Sequence, residues 1–230
     1  MFDELLPTVD TFLNATDSAT PNGFFITGTD TETGKSYTTC RIAEYLLQKR
    51  PGLVISPRKP IASGCLLQPD GRLLSEDADS VHSASQTPDD LETICPYRFK
   101  LPISPARAIA QAGADIRLNE LVEACQAPQD RFRLVEGAGG LYSPLTPDAD
   151  NLDLIQRLGL PVVLVVGNKL GCLNHALLTI RALETAKQPI ALIVLNDLSD
   201  NADPENFTDL QSLVPYPCVH TPYHGYQGQL

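Results

Sequence analysis

The segment Phe24-Phe25-Ile26-Thr27-Gly28-Thr29-Asp30-Thr31-Glu32-Thr33-Gly34-Lys35-Ser36 constrains the fold of this chain more than any other. A short apolar run of the buried-strand kind leads into a glycine-rich turn. Beyond it, Tyr37, Cys40, Ile42, Tyr45 and Leu46 supply apolar positions that predict a helix from Gly34 to about Gln48. Backbone N–H groups in such a turn point inward and cradle an anion, and the helix that opens at Gly34 adds the positive end of its dipole. Lys35 is placed to reach the β- and γ-phosphates of a nucleotide and the Ser36 hydroxyl to ligate Mg²⁺. Five residues separate Gly28 from Gly34, where the usual phosphate-binding loop has four.

The rest of the chain repeats the alternation of strand and helix. Strands are predicted at Leu53–Ser56, Phe132–Val135, Val162–Val166, Ile190–Leu195 and near Cys218, and helices at 75–84, 104–112, 117–127, Gly171–Ala186 and 204–213. Val162–Val166 is continuous and unpatterned, as in a strand covered on both faces by helices. The alternation implies right-handed crossovers and a three-layer α/β fold of the P-loop NTPase kind, with a mainly parallel central sheet flanked by helices. Ligands on such sheets bind at the carboxyl ends of the strands. Gly28 onward, Pro57 to Gly64, Glu136 to Gly140, Gly167 to Asn174, and Asn196-Asp197 all fall at those ends. Residues 1–22 read as an N-terminal extension, with Phe2, Leu5, Leu6, Val9, Phe12 and Leu13 at helical spacing before a polar linker, ahead of a single domain over 23–230.

Composition excludes several partners. A net charge of −11 is a poor match for nucleic acid, whose phosphates need clustered Lys and Arg. No apolar run approaches the ~20 residues of a membrane span. Asp3 and Glu4 stand where a signal peptide would carry positive charge. The six cysteines are scattered, with no Cys-x-x-Cys pair and no zinc-like spacing to histidine, so buried, reduced thiols and a cytoplasmic location are expected.

Four further segments carry chemistry. In Pro57-Arg58-Lys59-Pro60-Ile61-Ala62-Ser63-Gly64, Pro60 biases Lys59 toward extended backbone, which presents its ammonium from a strand end to a transferring phosphoryl group or a substrate anion. Ser63 offers a small hydroxyl to substrate. In Glu136-Gly137-Ala138-Gly139-Gly140, the acid at a strand end is where P-loop enzymes place a Mg²⁺ partner, and the glycines allow close backbone approach. Ser75-Glu76-Asp77-Ala78-Asp79 offers another metal carboxylate or, equally, an acidic helix start stabilised by the dipole. Asn168-Lys169 matches the opening of the guanine-reading Asn-Lys-x-Asp, but Gly171 replaces the Asp; the turn opens a helix, whose free N–H groups suit a carboxylate.

Gly-Thr-Asp-Thr-x-x-Gly-Lys-Ser at 28–36, Lys-Pro-x-Ala-Ser-Gly at 59–64, Glu-Asp-Ala at 76–78, Tyr97 through Ser104-Pro105, Val-Glu-Gly-Ala-Gly-Gly at 135–140, Val-Gly-x-Lys-Leu-Gly-Cys-x-Asn-His at 166–175 and Asn-Asp at 196–197 together resemble the dethiobiotin synthetase family over about residues 23–200. The five-residue glycine spacing is that family's variant. The resemblance implies an ATP- and Mg²⁺-dependent ligase of biotin biosynthesis that carboxylates and cyclises 7,8-diaminononanoate with CO₂ or bicarbonate. It implies that Thr31, Glu32, Thr33, Gly34, Lys35, Ser36 and Tyr37 form the phosphate-binding turn and its substrate edge, and that Ser36, Asp77 and Glu136 hold Mg²⁺. Lys59 and Lys35 would be catalytic, Ser63 would contact substrate, and Gly137, Ala138 and Gly139 would line the ligand path. Asn196 and Asp197, with Pro222 and Tyr223 in a late loop, would read the base. In a homodimer the partner's turn at Leu170, Gly171, Cys172 and Asn174 would receive the substrate carboxylate. The extension and the short C-terminus depart from the family pattern. The rival readings are a P-loop switch or partition-type ATPase acting on a protein partner, and a non-catalytic nucleotide-binding module.

Overall fold

Phe24 and Phe25 are neighbours in the first strand, yet they enter two different cores. The computed structural model describes residues 22–223, so the amphipathic positions Phe2 to Leu13 lie outside the described residues. In chain order the elements are β1 (Gly23–Gly28), α1 (Lys35–Lys49), β2 (Ile55–Arg58), β3 (Ile61–Ala62), β4 (Leu66–Leu67), β5 (Leu73–Leu74), α2 (Glu76–Ser85), α3 (Leu91–Ile94), β6 (Tyr97–Arg98), α4 (Pro105–Ala112), α5 (Leu118–Ala124), β7 (Phe132–Gly140), β8 (Pro144–Thr146), β9 (Ala149–Asp150), α6 (Asn151–Leu158), β10 (Val162–Asn168), α7 (Cys172–Thr185), β11 (Ile190–Asp197), α8 (Glu205–Leu213) and β12 (Cys218–Thr221).

Among the described residues, six strands form the central sheet in the order β12-β11-β10-β1-β7-β2, and every pairing in it is parallel. Successive side chains of a strand face opposite ways, which explains the continuous apolar runs. Phe25, Val135, Val162, Leu164, Val166, Ile193 and Leu195 meet Ile109 of α4, Leu121 of α5, Leu154 and Ile155 of α6, Ile180 of α7 and Leu210 of α8 on one face. Phe24, Ile26, Leu134, Val163, Val165, Leu192 and Val194 meet Ile42, Tyr45 and Leu46 of α1 on the other. The predicted three-layer α/β architecture is the observed one.

Three local expectations differ. The second strand is Ile55–Arg58, two residues later than predicted from its apolar residues. Ser56 and Arg58 are buried in it without being apolar, and Pro57 is accommodated because β2 is an edge strand. Glu136 does not end its strand, because β7 continues to Gly140. Ile26 pairs with Glu136 and Gly28 with Gly140, so two steps of β1 span four of β7 and the glycine segment bulges toward the carboxyl edge. Helix α6 was not anticipated; its start is a capping box, in which Asp150 accepts from the Asp153 N–H and the Asp153 side chain accepts from the Asp150 N–H.

Arg58 anchors the outer strand. Its Nη1 donates to Asp89 Oδ2 at 2.6 Å and its Nε to the Gln126 carbonyl at 3.0 Å, while Arg131 donates to Asp89 Oδ1 at 2.6 Å. Burial works against the Asp89 charge, but hydrogen bonding and attraction from Arg58 and Arg131 outweigh it and hold the carboxyl below its ordinary range. A carboxyl depressed in the folded state adds stability above its unfolded pKa of about 3.9 and loses it as pH falls below that. Asp89→Asn should therefore cost about 3 kcal/mol at pH 7, since it leaves Arg58 buried without its charge partner. In denaturant titrations the gap between the two proteins should narrow below about pH 4; a gap that stays constant to pH 3 would contradict this account.

Candidate active site

The loop that leaves β1 wraps back on itself. Thr29 N–H donates to the Val165 carbonyl at 3.0 Å, and Lys35 Nζ donates to the Asp30 carbonyl at 2.9 Å. Thr33 is buried beneath the loop. Glu32 holds a left-handed conformation at φ 58°, unusual for a residue with a side chain. Gly34 precedes α1 at φ 89°, and any Cβ there would overlap the Asn196 amide, which donates to the Thr33 carbonyl at 3.1 Å. Only glycine satisfies both constraints. No side chain caps α1, so its opening N–H groups remain available to an anion. Burial first, and the nearby Lys59 charge second, lower the Lys35 pKa to about 8.

Beside the loop, five charged or hydroxyl side chains converge from distant parts of the chain. Lys59, immediately after β2, places Nζ 2.6 Å from Asp77 Oδ2 and 2.6 Å from Glu136 Oε1. Ser36 Oγ donates to Glu136 Oε1 at 2.7 Å and Thr39 Oγ1 to Glu136 Oε2 at 2.9 Å. The Lys59 N–H is itself fixed on the Ile94 carbonyl at 2.8 Å. Burial alone would lower the Lys59 pKa, yet Glu136 and Asp77 reverse that and hold it above the ordinary lysine value. The Lys59 charge, before all else, depresses the Asp77 carboxyl. Glu136 is buried, with 2% of its side chain exposed, whereas Asp77 is half-exposed at 51%.

Lys35, Ser36, Lys59, Asp77 and Glu136 line a cavity of about 620 Å³ with Thr31, Glu32, Gly34, Tyr37, Ser63, Ala138 and Gly139, and with Asn196, Asp197, Leu198, Pro222 and Tyr223 from the ends of β11 and β12. The end of β11 is a polar weave. Asn168 Nδ2 donates to Asp197 Oδ1 at 2.7 Å and to the Asp203 carbonyl at 2.9 Å, Asn206 donates to Asn168 Oδ1 at 2.8 Å, and His220 Nε2 lies 2.9 Å from Asp197 Oδ2. Asn168 is thereby tied to the end of β11, a role different from reading a base.

Gly137 lies just outside the lining, against Asn151 and Phe25. Leu170, Gly171, Cys172 and Asn174 are also outside it. Leu170 and Asn174 face solvent, Cys172 is buried, and the Cys172 N–H is donated to the Lys169 carbonyl at 2.9 Å. Five of the six free cysteines are buried, as expected, and Cys218 is half-buried.

Sequence reasoning missed Thr39, Asn151, Leu198 and His220. Thr39 was within reach, three residues after Ser36 on the same face of α1. Asn151 is fully buried and acts as a surrogate strand for the bulge: Nδ2 donates to the carbonyls of Ala138 at 2.9 Å and Gly140 at 2.8 Å, and Oδ1 accepts from the Ala138 N–H at 3.3 Å.

A family model described as an AAA domain matches residues 22–220. The chain is 35% identical over 203 residues to the ATP-dependent dethiobiotin synthetase of Rhodopirellula baltica, covering 83% of this chain and 78% of that protein. It is 37% identical over 200 residues to the ATP-dependent dethiobiotin synthetase BioD 1 of Escherichia coli O157:H7, covering 85% and 88%. It is 40% identical over 184 residues to the counterpart from Anaeromyxobacter dehalogenans strain 2CP-C, covering 79% of each. Among solved structures, a ParA family ATPase from Chlorobium tepidum superposes with a TM-score of 0.52 at 14% identity, covering 88% of this chain and 85% of that one. That likeness concerns the fold alone.

Asn151→Ala would strand the Ala138 amide and two carbonyls, and should cost about 3 kcal/mol in chemical denaturation. Asn151→Asp should cost more at neutral pH, because an oxygen would then face the Ala138 and Gly140 carbonyls. Two variants within about 0.5 kcal/mol of wild type would show that Asn151 does not hold the bulge.

Proposed function

We infer the reaction from one premise: this chain belongs to the family of ATP-dependent dethiobiotin synthetases. It is an enzyme of the ligase kind. We propose that it joins CO₂ to 7,8-diaminononanoate and closes the cyclic urea of dethiobiotin, releasing ADP and phosphate. The observation that carries the proposal is the convergence of Lys35, Ser36, Lys59, Ser63, Asp77 and Glu136 on one cavity. A bare phosphate-binding loop has no need of a second lysine held by two carboxylates.

The residues fit the groups this chemistry requires. The cavity lies in the range of about 300–1,000 Å³ that small ligands occupy, and the uncapped start of α1 suits phosphate. Ser36, Asp77 and Glu136 supply hard oxygen donors of the type Mg²⁺ prefers, and the Lys59 ammonium seated between the two carboxylates demonstrates that this spot accommodates positive charge. When bound there, Mg²⁺ would neutralise charge on the transferring phosphoryl group. Asn196, Asp197, Pro222 and Tyr223 form the end of the cavity that we assign to the nucleotide base.

In the proposed sequence one substrate amine takes up CO₂ as a carbamate. A carbamate oxygen attacks the γ-phosphorus of ATP and ADP leaves. The second amine then attacks the carbamoyl carbon, the C–O bond breaks, and phosphate departs with the electron pair while the amine loses its proton to solvent. Lys35 and Lys59 offset the anionic charge at the phosphoryl group, and Ser63 with Thr31 holds the substrate edge. The turn at Leu170, Gly171, Cys172 and Asn174 opens α7 outside the cavity lining of its own chain. Leu170 is fully exposed. Both features support a homodimer in which that turn receives the substrate carboxylate in the site of the second copy.

The direct test is ADP release with and without the diamine and bicarbonate, repeated with ATP, CTP and GTP. Release should depend on the diamine; nucleotide hydrolysis indifferent to it would overturn the assignment and favour a switch-type ATPase. Lys59→Gln should retain the fold by circular dichroism and lower turnover by ~10²-fold or more.

A further inference from the structure

The Lys59 ammonium sits between the two carboxylates assigned above to a metal ion. Its ammonium lies 2.6 Å from an oxygen of each of the two carboxylates, and the oxygen it takes on Glu136 is the one that also accepts from Ser36. The other Glu136 oxygen is committed to Thr39 on the buried side. Lys35, the nearest alternative cation, is turned to the Asp30 carbonyl. Two of the three candidate metal ligands are thus already paired with a positive charge supplied by the chain, and the third, Ser36, donates to the same Glu136 oxygen.

We propose that Lys59 guards the divalent-cation site of the free enzyme, so that a metal ion gains Asp77 and Glu136 only by displacing its ammonium. The inference rests on the assignment of Asp77 and Glu136 as metal carboxylates. A divalent ion needs oxygen contacts of about 2.0–2.1 Å for Mg²⁺, and its charge would repel an ammonium sharing the same two carboxylates. The backbone need not move for the exchange, because the Lys59 N–H stays on the Ile94 carbonyl while four side-chain bonds re-aim Nζ. The displaced ammonium needs a new anion, and nucleotide phosphates provide one. The metal therefore enters with the nucleotide and not before it, and its entry delivers Lys59 to the reacting groups. One lysine sets the order of assembly and then serves the chemistry.

Nucleotide-free protein titrated with Mn²⁺, with free Mn²⁺ followed by electron paramagnetic resonance, tests this directly. Lys59→Met should bind Mn²⁺ about tenfold more tightly than wild type, or better, as expected when a competing cation is removed from a carboxylate site. The double variant Lys59→Met/Glu136→Gln should fall back toward wild type. Lys59→Arg keeps the charge and should exclude Mn²⁺ as wild type does. Mn²⁺ should also raise the melting temperature of Lys59→Met more than that of wild type, because a ligand of the folded state stabilises it. Lys59→Gln serves in place of Lys59→Met if the latter does not fold. Equal Mn²⁺ affinity in wild type and the uncharged variants, or a Lys59→Arg protein that binds as tightly as they do, would overturn the proposal. The diamine plays no part in this titration, so its outcome is independent of the ADP-release assay that tests the reaction.

Discussion

Glu136 is an ionisable side chain buried beneath a cavity, and the arrangement around it follows from that constraint. A carboxylate removed from water is costly unless charge and hydrogen bonds replace its hydration. Lys59 supplies the charge, and Ser36 and Thr39 supply the hydrogen bonds. These partners come from the end of β2 and the first turns of α1, so satisfying Glu136 locks the outer strand, the phosphate-type loop and the central strand β7 into one register. Lys59 has the converse problem: buried and cationic, it is stable only because two carboxylates face it. The knot is mutually supporting, and removing one member leaves another buried and unpaired.

Around that knot buried polar side chains fix the backbone. Asn151 takes over the hydrogen bonds that the bulge in β7 forfeits from the sheet. Asn196 presses on Gly34 and secures the loop from the opposite side. Asn168 and His220 hold the Asp197 carboxylate from two directions. Buried amides are well suited to this work, because each carries donors and an acceptor and leaves no net charge to be neutralised.

The nine residues from Gly28 to Ser36 established, unaided, that a phosphate-type loop joins a buried strand to a helix, since their chemistry is local: glycine conformations, a helix start, a lysine and a hydroxyl. The apolar runs at Val162–Val166 and Ile190–Leu195 established a sheet covered on both faces, because alternation between two cores leaves no polar positions along a strand. Asn151 was not legible in this way. A buried asparagine looks in sequence like a surface one, and only its contacts across the bulge distinguish it. Arg58 misled the placement of β2 for the same reason, as its burial depends on Asp89, 31 residues away.

Sequence alone determined the layered architecture, the glycine-rich loop between β1 and α1, and the short list of Lys35, Lys59, Asp77 and Glu136. Only the tertiary structure decided that Lys59, Asp77 and Glu136 meet at one point, that Asn168 serves Asp197, and that the turn at Leu170 lies outside the lining of its own cavity. Local patterns encode backbone geometry, because it depends on adjacent residues. The pairing of charges depends on strand order and register, which bring together groups as far apart as Lys59 and Glu136.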